Sequence, residues 1–175
     1  MMQDHDQWNE VRAELDTWKG VPVAELIQHI MEKYHRDTRI GMADLESLSE
    51  EAALFEGWHA PVLLAIRDEV ELFCTEMRTH LRMEEATLFP AFLAKAGGRE
   101  VDEQFELLDP MELFEDEHNA AEGLLVRIRK LTDSYQAPEN AKPLQVALYD
   151  ACQRLAISLR AHIYIENQVL FQTLK

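Results

Sequence analysis

Apolar residues recur at three- and four-residue intervals along almost the whole chain, and no segment sustains the every-second-residue alternation of a half-buried strand. The chain is therefore expected to be all-α. The first long helix starts just after Gly20-Val21-Pro22, because proline is tolerated in a first helical turn, and runs to about Gly57. Its inward series reads Ile27, Met31, Thr38, Met42 and Leu45, with Gly41 as a candidate kink. The second starts near Pro61, presents Leu63, Ile66, Val70, Phe73 and Met77, and is bent or ended by Pro90.

A break follows at Ala96-Gly97-Gly98-Arg99-Glu100, with a short helix expected over Val101 to Leu108. The third long helix opens at Pro110, carries Met111, Phe114, Ala121, Leu125, Ile128 and Leu131, and ends near Ser134-Tyr135. Ala137-Pro138-Glu139-Asn140 reads as a turn, and the fourth helix runs from Pro143 almost to Lys175 through Leu148, Ala151, Leu155 and Leu159. Four amphipathic helices joined mostly by short connections predict an up-down-up-down four-helix bundle over residues 22–175. Residues 1–21 form an N-terminal extension in which Trp8, Val11, Leu15 and Trp18 are placed to make a small helix packed outside.

The inward series do not stay apolar. On the second helix the series continues from Met77 to His80, Glu84 and Leu88, and on the fourth it passes from Leu159 through His162 and Glu166 to Leu170. His35 precedes Thr38 on the first helix, and His118 lies between Phe114 and Ala121 on the third. A single inward histidine is ordinarily a hydrogen-bonded core residue. Two buried carboxylates among four imidazoles are different: each carboxylate would cost on the order of several kcal/mol without a strong partner. No Lys or Arg lies on these faces near the cluster, so metal cations are the natural source of positive charge.

Register supports convergence. His118 lies 18 residues before Gln136 and His162 lies 19 after Pro143, so an antiparallel hairpin sets them level. His35 is 22 residues before Gly57 and His80 is 19 after Pro61, level to within about a turn. The chain reads as two copies of one helical hairpin, since His35 to His80 spans 45 residues and His118 to His162 spans 44. HLRMEEATLF from His80 and HIYIENQVLF from His162 share His, Glu, Leu and Phe. In each copy His-x3-Glu puts an imidazole and a carboxylate on one helical face, where both reach one metal and the carboxylate can bridge to a second. Nitrogen-rich ligation with bridging carboxylates suits two iron ions, joined by an oxo or hydroxo bridge, with other divalent metals left open by donor type.

The remaining titratable groups divide less cleanly. His59 lies 24 residues beyond His35, about 36 Å along an unbroken helix, so it becomes a ligand only if the helix breaks sharply at Gly41. His29 points off the inward face and His5 lies in the extension. Glu76, one turn before His80, and Glu117, next to His118, are candidates for orienting an imidazole or guiding protons, as against plain solvated carboxylates. Tyr34 and Tyr164 lie beside ligand positions. Cys74 and Cys152 are far apart and outside any CxxC pattern, which argues against disulfide or thiolate chemistry and for a reducing, cytoplasmic setting. The net charge of -16 repels phosphate backbones and anionic lipid surfaces, so neither nucleic acid nor membrane is an expected partner. The first residues lack the positive and apolar regions of a signal peptide.

With KYHRDTR around His35, HLRMEEATLFP around His80, EDEHNAAEGLLVRIRKLTDSYQAP around His118 and HIYIENQVLF around His162, the chain resembles the hemerythrin HHE-type cation-binding domain. It is more closely similar to the di-iron proteins called repair of iron centres. The resemblance implies a four-helix bundle around a non-haem di-iron centre that reacts with nitric oxide or dioxygen and helps restore iron-sulfur clusters under oxidative or nitrosative stress. It also implies roles near the site for Glu76 and Glu117, and His59 matches a family position. The set of four histidines and two carboxylates differs from the more histidine-rich, asymmetric site of oxygen-carrying hemerythrins. The alternative function is an oxygen- or iron-binding or sensing module without turnover, acting through a protein partner.

Overall fold

In the computed structural model, residues 2–100 and 110–174 are described. The short helix expected over Val101 to Leu108 lies outside them. Among the described residues α1 spans Met2–Asp16, α2 Val23–His29, α3 Arg36–Glu56, α4 Val62–Met83, α5 Phe89–Ala96, α6 Pro110–Leu131 and α7 Pro143–Ile165. α3 packs between α4 and α7, and α6 packs on α4 and α7, which closes the expected antiparallel bundle. None of the described helices is long and apolar enough to cross a membrane.

Three of the four long helices contain a π-helical segment where sequence reading expects uninterrupted α-helix. These segments are Ile30–His35 between α2 and α3, Glu84–Leu88 between α4 and α5, and Glu166–Leu170 after α7. A π turn repeats every five hydrogen-bonded residues rather than four, so it shifts the inward face by one position. Met31, expected inside, is therefore 40% exposed, while Ile30, five residues before His35, is fully buried and Tyr34 nearly so. The other inward series hold: Leu63, Ile66, Val70, Phe73 and Met77 are buried on α4, and Leu148, Ala151, Leu155 and Leu159 on α7. On α6, Phe114, Ala121, Leu125 and Ile128 are buried, while Leu131 is half-buried.

Gly41 makes no kink, because α3 continues through it to Glu56. A Cβ there would lie 2.8 Å from Leu155 Cδ1, so the glycine serves close approach of α3 to α7. The extension is helical as expected. Leu15 is buried, and Trp8, Val11 and Trp18 pack half-buried on the same apolar cluster. Arg160 lies 3.9 Å over the Trp8 ring, and Tyr164 donates to Asp16 at 2.8 Å while accepting from Arg12 at 3.0 Å, which fastens α1 across α7.

The core has two apolar clusters. One contains Met42, Met77, Leu81, Ala121 and Leu159, and the other contains Ile30, Leu88, Phe89, Phe114 and Ile165. On every long helix the inward histidine falls between members of the two, so a polar layer divides the core. Cys74 and Cys152 are buried in the first cluster, and burial pushes both thiols up to about 12. Native protein at pH 8 is accordingly expected to react negligibly with a thiol reagent such as iodoacetamide, and to expose both thiols only in denaturant. Rapid labelling of either cysteine in the folded chain, read by mass spectrometry, would contradict this packing.

Candidate metal centre

His35 comes from the π segment that joins α2 to α3, His80 and His162 from the last turns of α4 and α7, and His118 from mid-α6. Glu84 and Glu166 each begin a π segment one turn beyond a histidine. All six side chains are buried, five of them with 1% exposure or less and both carboxylates at 0%. Their donor atoms fall into two overlapping groups, His35, Glu84, His162, Glu166 and His80, Glu84, His118, Glu166, within each of which the atoms lie inside 4.8 Å of one another. The two carboxylates belong to both groups.

Each carboxylate turns one oxygen toward each half. Glu84 Oε2 lies 3.3 Å from His35 Nε2, and its Oε1 lies 3.3 Å from His80 Nε2. Glu166 Oε1 lies 2.9 Å from His162 Nε2 and 3.2 Å from His35 Nε2, with its Oε2 3.2 Å from His118 Nε2. Proximity here is not satisfaction. Both Glu84 oxygens, Glu166 Oε2 and His162 Nε2 are enclosed without any partner in hydrogen-bond geometry.

The outer ring nitrogens explain why. His35 Nδ1 donates to Glu85 at 2.7 Å, His80 Nδ1 to Glu117 at 2.7 Å and His118 Nδ1 to the Asn167 carbonyl oxygen at 2.9 Å. His162 Nδ1 faces Thr38 Oγ1 at 3.3 Å. A neutral imidazole that donates from Nδ1 presents a lone pair at Nε2, so three rings in that form join the two carboxylates in lining the interior mainly with acceptors, and His35 hydrogen-bonds Glu166 Oε1 at 3.2 Å only when its Nε2 also carries a proton. His118 Nε2 and His80 Nε2 even approach to 3.0 Å. Such a donor set fits cations, and among the described residues no Lys or Arg side chain is buried to supply one.

With protons as the only positive charge, the cluster must share them unequally. Burial opposes charging of His35, but the hydrogen bond it donates to Glu166 and the close Glu84 carboxylate outweigh it and raise that imidazole to about 10. Burial, with the neighbouring His118, pushes His80 down to about 3. Burial and the adjacent Glu166 charge raise Glu84, whereas for Glu166 burial is overcome by His162 and by hydrogen bonds from His118 and His35, which hold it well below the usual carboxylate range.

The structure thus brings together His35, His80, Glu84, His118, His162 and Glu166, the six expected from the sequence. It does not bring His59 to them: with α3 unbroken, that residue is exposed in the corner between α3 and α4. Glu117 orients an imidazole, yet its partner is His80 on α4 rather than its sequence neighbour His118, since successive residues point about 100° apart around a helix. Glu76 is exposed, lining a groove of about 390 Å³ between α4 and α6 that His80 and Glu117 also border. Tyr34 stacks on His162 at 6.1 Å between ring centres, while Tyr164 turns outward to α1.

Sequence reading missed Glu85, held by Arg39 at 2.8 Å, and Asn167 as the groups that hold His35 and His118. The signal was present in the repeat, because both directly follow the paired glutamates Glu84 and Glu166.

A helical bundle whose central polar layer consists of imidazoles and shared carboxylates belongs to the class of cation-binding bundles. The chain is a member of the hemerythrin family: the model of the hemerythrin HHE cation binding domain matches residues 26–174. The iron-sulfur cluster repair protein ScdA of Staphylococcus haemolyticus is 28% identical over 170 residues, covering 97% of this chain and 72% of that protein. The iron-sulfur cluster repair proteins YtfE of Escherichia coli and Escherichia fergusonii are each 30% identical over 157 residues, covering 88% of this chain and 67% of the relative.

Because Glu84 has its ionisation raised in the metal-free fold, its charge costs stability above the ordinary carboxylate range, and the cost grows as pH climbs through the raised value. Glu84→Gln is therefore expected to stabilise the metal-free protein by about 1–3 kcal/mol at neutral to mildly alkaline pH, with the advantage shrinking near pH 5. Urea denaturation of both proteins after chelation checks it; a variant that is less stable at every pH would show that the carboxylate is already satisfied.

Proposed function

We propose that the six side chains hold two iron ions, His35 and His162 on one, His80 and His118 on the other, with Glu84 and Glu166 bridging them. We further propose that the protein uses this centre to bind or react with nitric oxide or dioxygen, in the repair of iron-sulfur clusters under nitrosative or oxidative stress. The observation that carries the reading is the shared pair of buried carboxylates, each with one oxygen toward either half of an acceptor-rich cavity. The names of the ScdA and YtfE relatives support the repair context.

Iron bound there would supply redox-active positions open to a diatomic gas. The chain's own residues do the rest. Glu85, Glu117 and Asn167 fix three imidazoles with Nε2 inward, and the two carboxylates among these partners make His35 and His80 stronger donors. Phe89 at 5.3 Å from His35, Phe114 at 5.6 Å from His80 and Phe171 at 6.2 Å from His118, each between ring centres, keep bulk water from that side of the layer. The Glu117 side chain is 40% exposed while it accepts from His80 Nδ1, so it can pass a proton between that ring and solvent.

Untagged protein should contain roughly two irons per chain and show oxo-bridged charge-transfer absorption. Its reduced form should change spectrum on mixing with nitric oxide or dioxygen in stopped flow. Glu117→Gln should weaken metal affinity about ten- to a hundredfold with little change in fold. Metal content well below two per chain would remove the di-iron assignment. A loaded, reduced protein indifferent to both gases would remove the gas chemistry and leave a storage role.

A further inference from the structure

The two halves of the polar layer follow one plan in their outer hydrogen bonds, and one residue breaks it. In each half one imidazole donates to a carboxylate, His35 to Glu85 and His80 to Glu117. The other ring meets a neutral group, His162 facing the Thr38 hydroxyl and His118 the Asn167 amide. The break is Arg39. One turn beyond His35, its guanidinium donates at 2.8 Å to the same Glu85 oxygen that accepts from His35 Nδ1 at 2.7 Å. Glu117 pairs with His80 alone, and no Lys or Arg acts on its charge.

A carboxylate at the outer nitrogen of an imidazole makes the inner nitrogen a stronger metal donor. Glu85 does this with its charge shared with Arg39, whereas Glu117 does it with its charge whole. The surrounding charges lean the same way. Lys33 Nζ stands 5.8 Å from the centre of the Tyr34 ring, which stacks on His162, and Asp37 on that side is matched by Arg36 at 3.1 Å. The groove that His80 and Glu117 border carries Glu76 and neither Lys nor Arg.

A divalent cation entering the layer therefore meets an acidic surround at His80 and His118 and a near-neutral one at His35 and His162. Glu84 and Glu166 do not choose between the two, because both belong to both donor groups. The Glu85 and Glu117 side chains are 27% and 40% exposed, so water screens each of them and the preference is moderate.

We propose that the two positions fill in order, His80 with His118 first and His35 with His162 second, and that Arg39 keeps the second step weaker. The ion at His35 and His162 is then the one a chelator withdraws first, while the other keeps the four helices tied together. This inference rests on the two-metal reading and concerns affinity, so it is tested apart from any reaction with a gas.

Titration of the metal-free full chain with zinc(II), which is redox-silent, tests it by calorimetry and by NMR of the four histidine rings. The His80 and His118 resonances should saturate with the first equivalent and those of His35 and His162 with the second, the two dissociation constants differing by about tenfold or more. Arg39→Gln should tighten the second step about tenfold and leave the first within about threefold. Arg39→Lys, which keeps the charge, should retain the weak second step. Arg127→Gln removes the same charge from the Glu69 pair, away from the layer, and should alter neither step. All four rings shifting together, the reverse order, or a second step weakened by both Arg39 variants would overturn the proposal; the last result would make Arg39 a clamp for Glu85 instead. If the Arg39 variants do not fold, the order of ring shifts in the unmodified chain decides. Uptake well below two zinc ions per chain would remove the two-metal reading and this order with it, whereas two ions taken up without order would remove the order alone.

Discussion

Everything in this bundle is arranged around one electrostatic demand: two glutamates and four imidazoles, sealed between two apolar clusters, face one another with more acceptors than donors. The outer nitrogens create the demand as much as the carboxylates do. By donating outward to Glu85, Glu117 and Asn167, three rings in their neutral form turn inner lone pairs toward the carboxylates. A layer built this way is tolerable only with positive charge inside it, and that is the condition under which a cation-binding domain does its work.

The backbone adapts to the same end. A regular α-helix would give Glu84 and Leu88, or Glu166 and Leu170, an ordinary four-residue relation. Instead a π segment begins at each glutamate, so the chain passes from the polar layer to the second apolar cluster with one residue to spare. Phe89 and Phe171 thereby reach the core and stack near His35 and His118. The duplication is not electrostatically even. Glu85 with its Arg39 partner and the hydroxyl of Thr38 flank the His35 and His162 half, whereas Glu117 and Asn167 flank the other. The two halves of the centre thus have different outer charge and different access to solvent.

Much of the site was legible because two independent patterns agreed. The helical period put His80, Glu84, His162 and Glu166 inside, and counting from each turn put all four histidines at one height. Met31 was misread because a π segment leaves no residue signature that simple four-residue counting detects. Glu117 stands out in the sequence as able to orient an imidazole, but that the ring is His80 is not legible there, since adjacency in sequence says little about which neighbouring helix a side chain faces. Gly41 looked like a weak point in a helix, and only the presence of Leu155 opposite shows it as the place where α3 and α7 come close.

Taken alone, the sequence determined the four long helical stretches, their antiparallel order and the identity of the six inward donors, because each of these follows from local periodicity and chain length. Tertiary structure decided which nitrogen of each imidazole faces inward, which partner holds it, and where α3 comes close enough to α7 that only a glycine fits at position 41. Those outcomes depend on side chains meeting across helices tens of residues apart, at distances set by packing, and no spacing along a single helix encodes them.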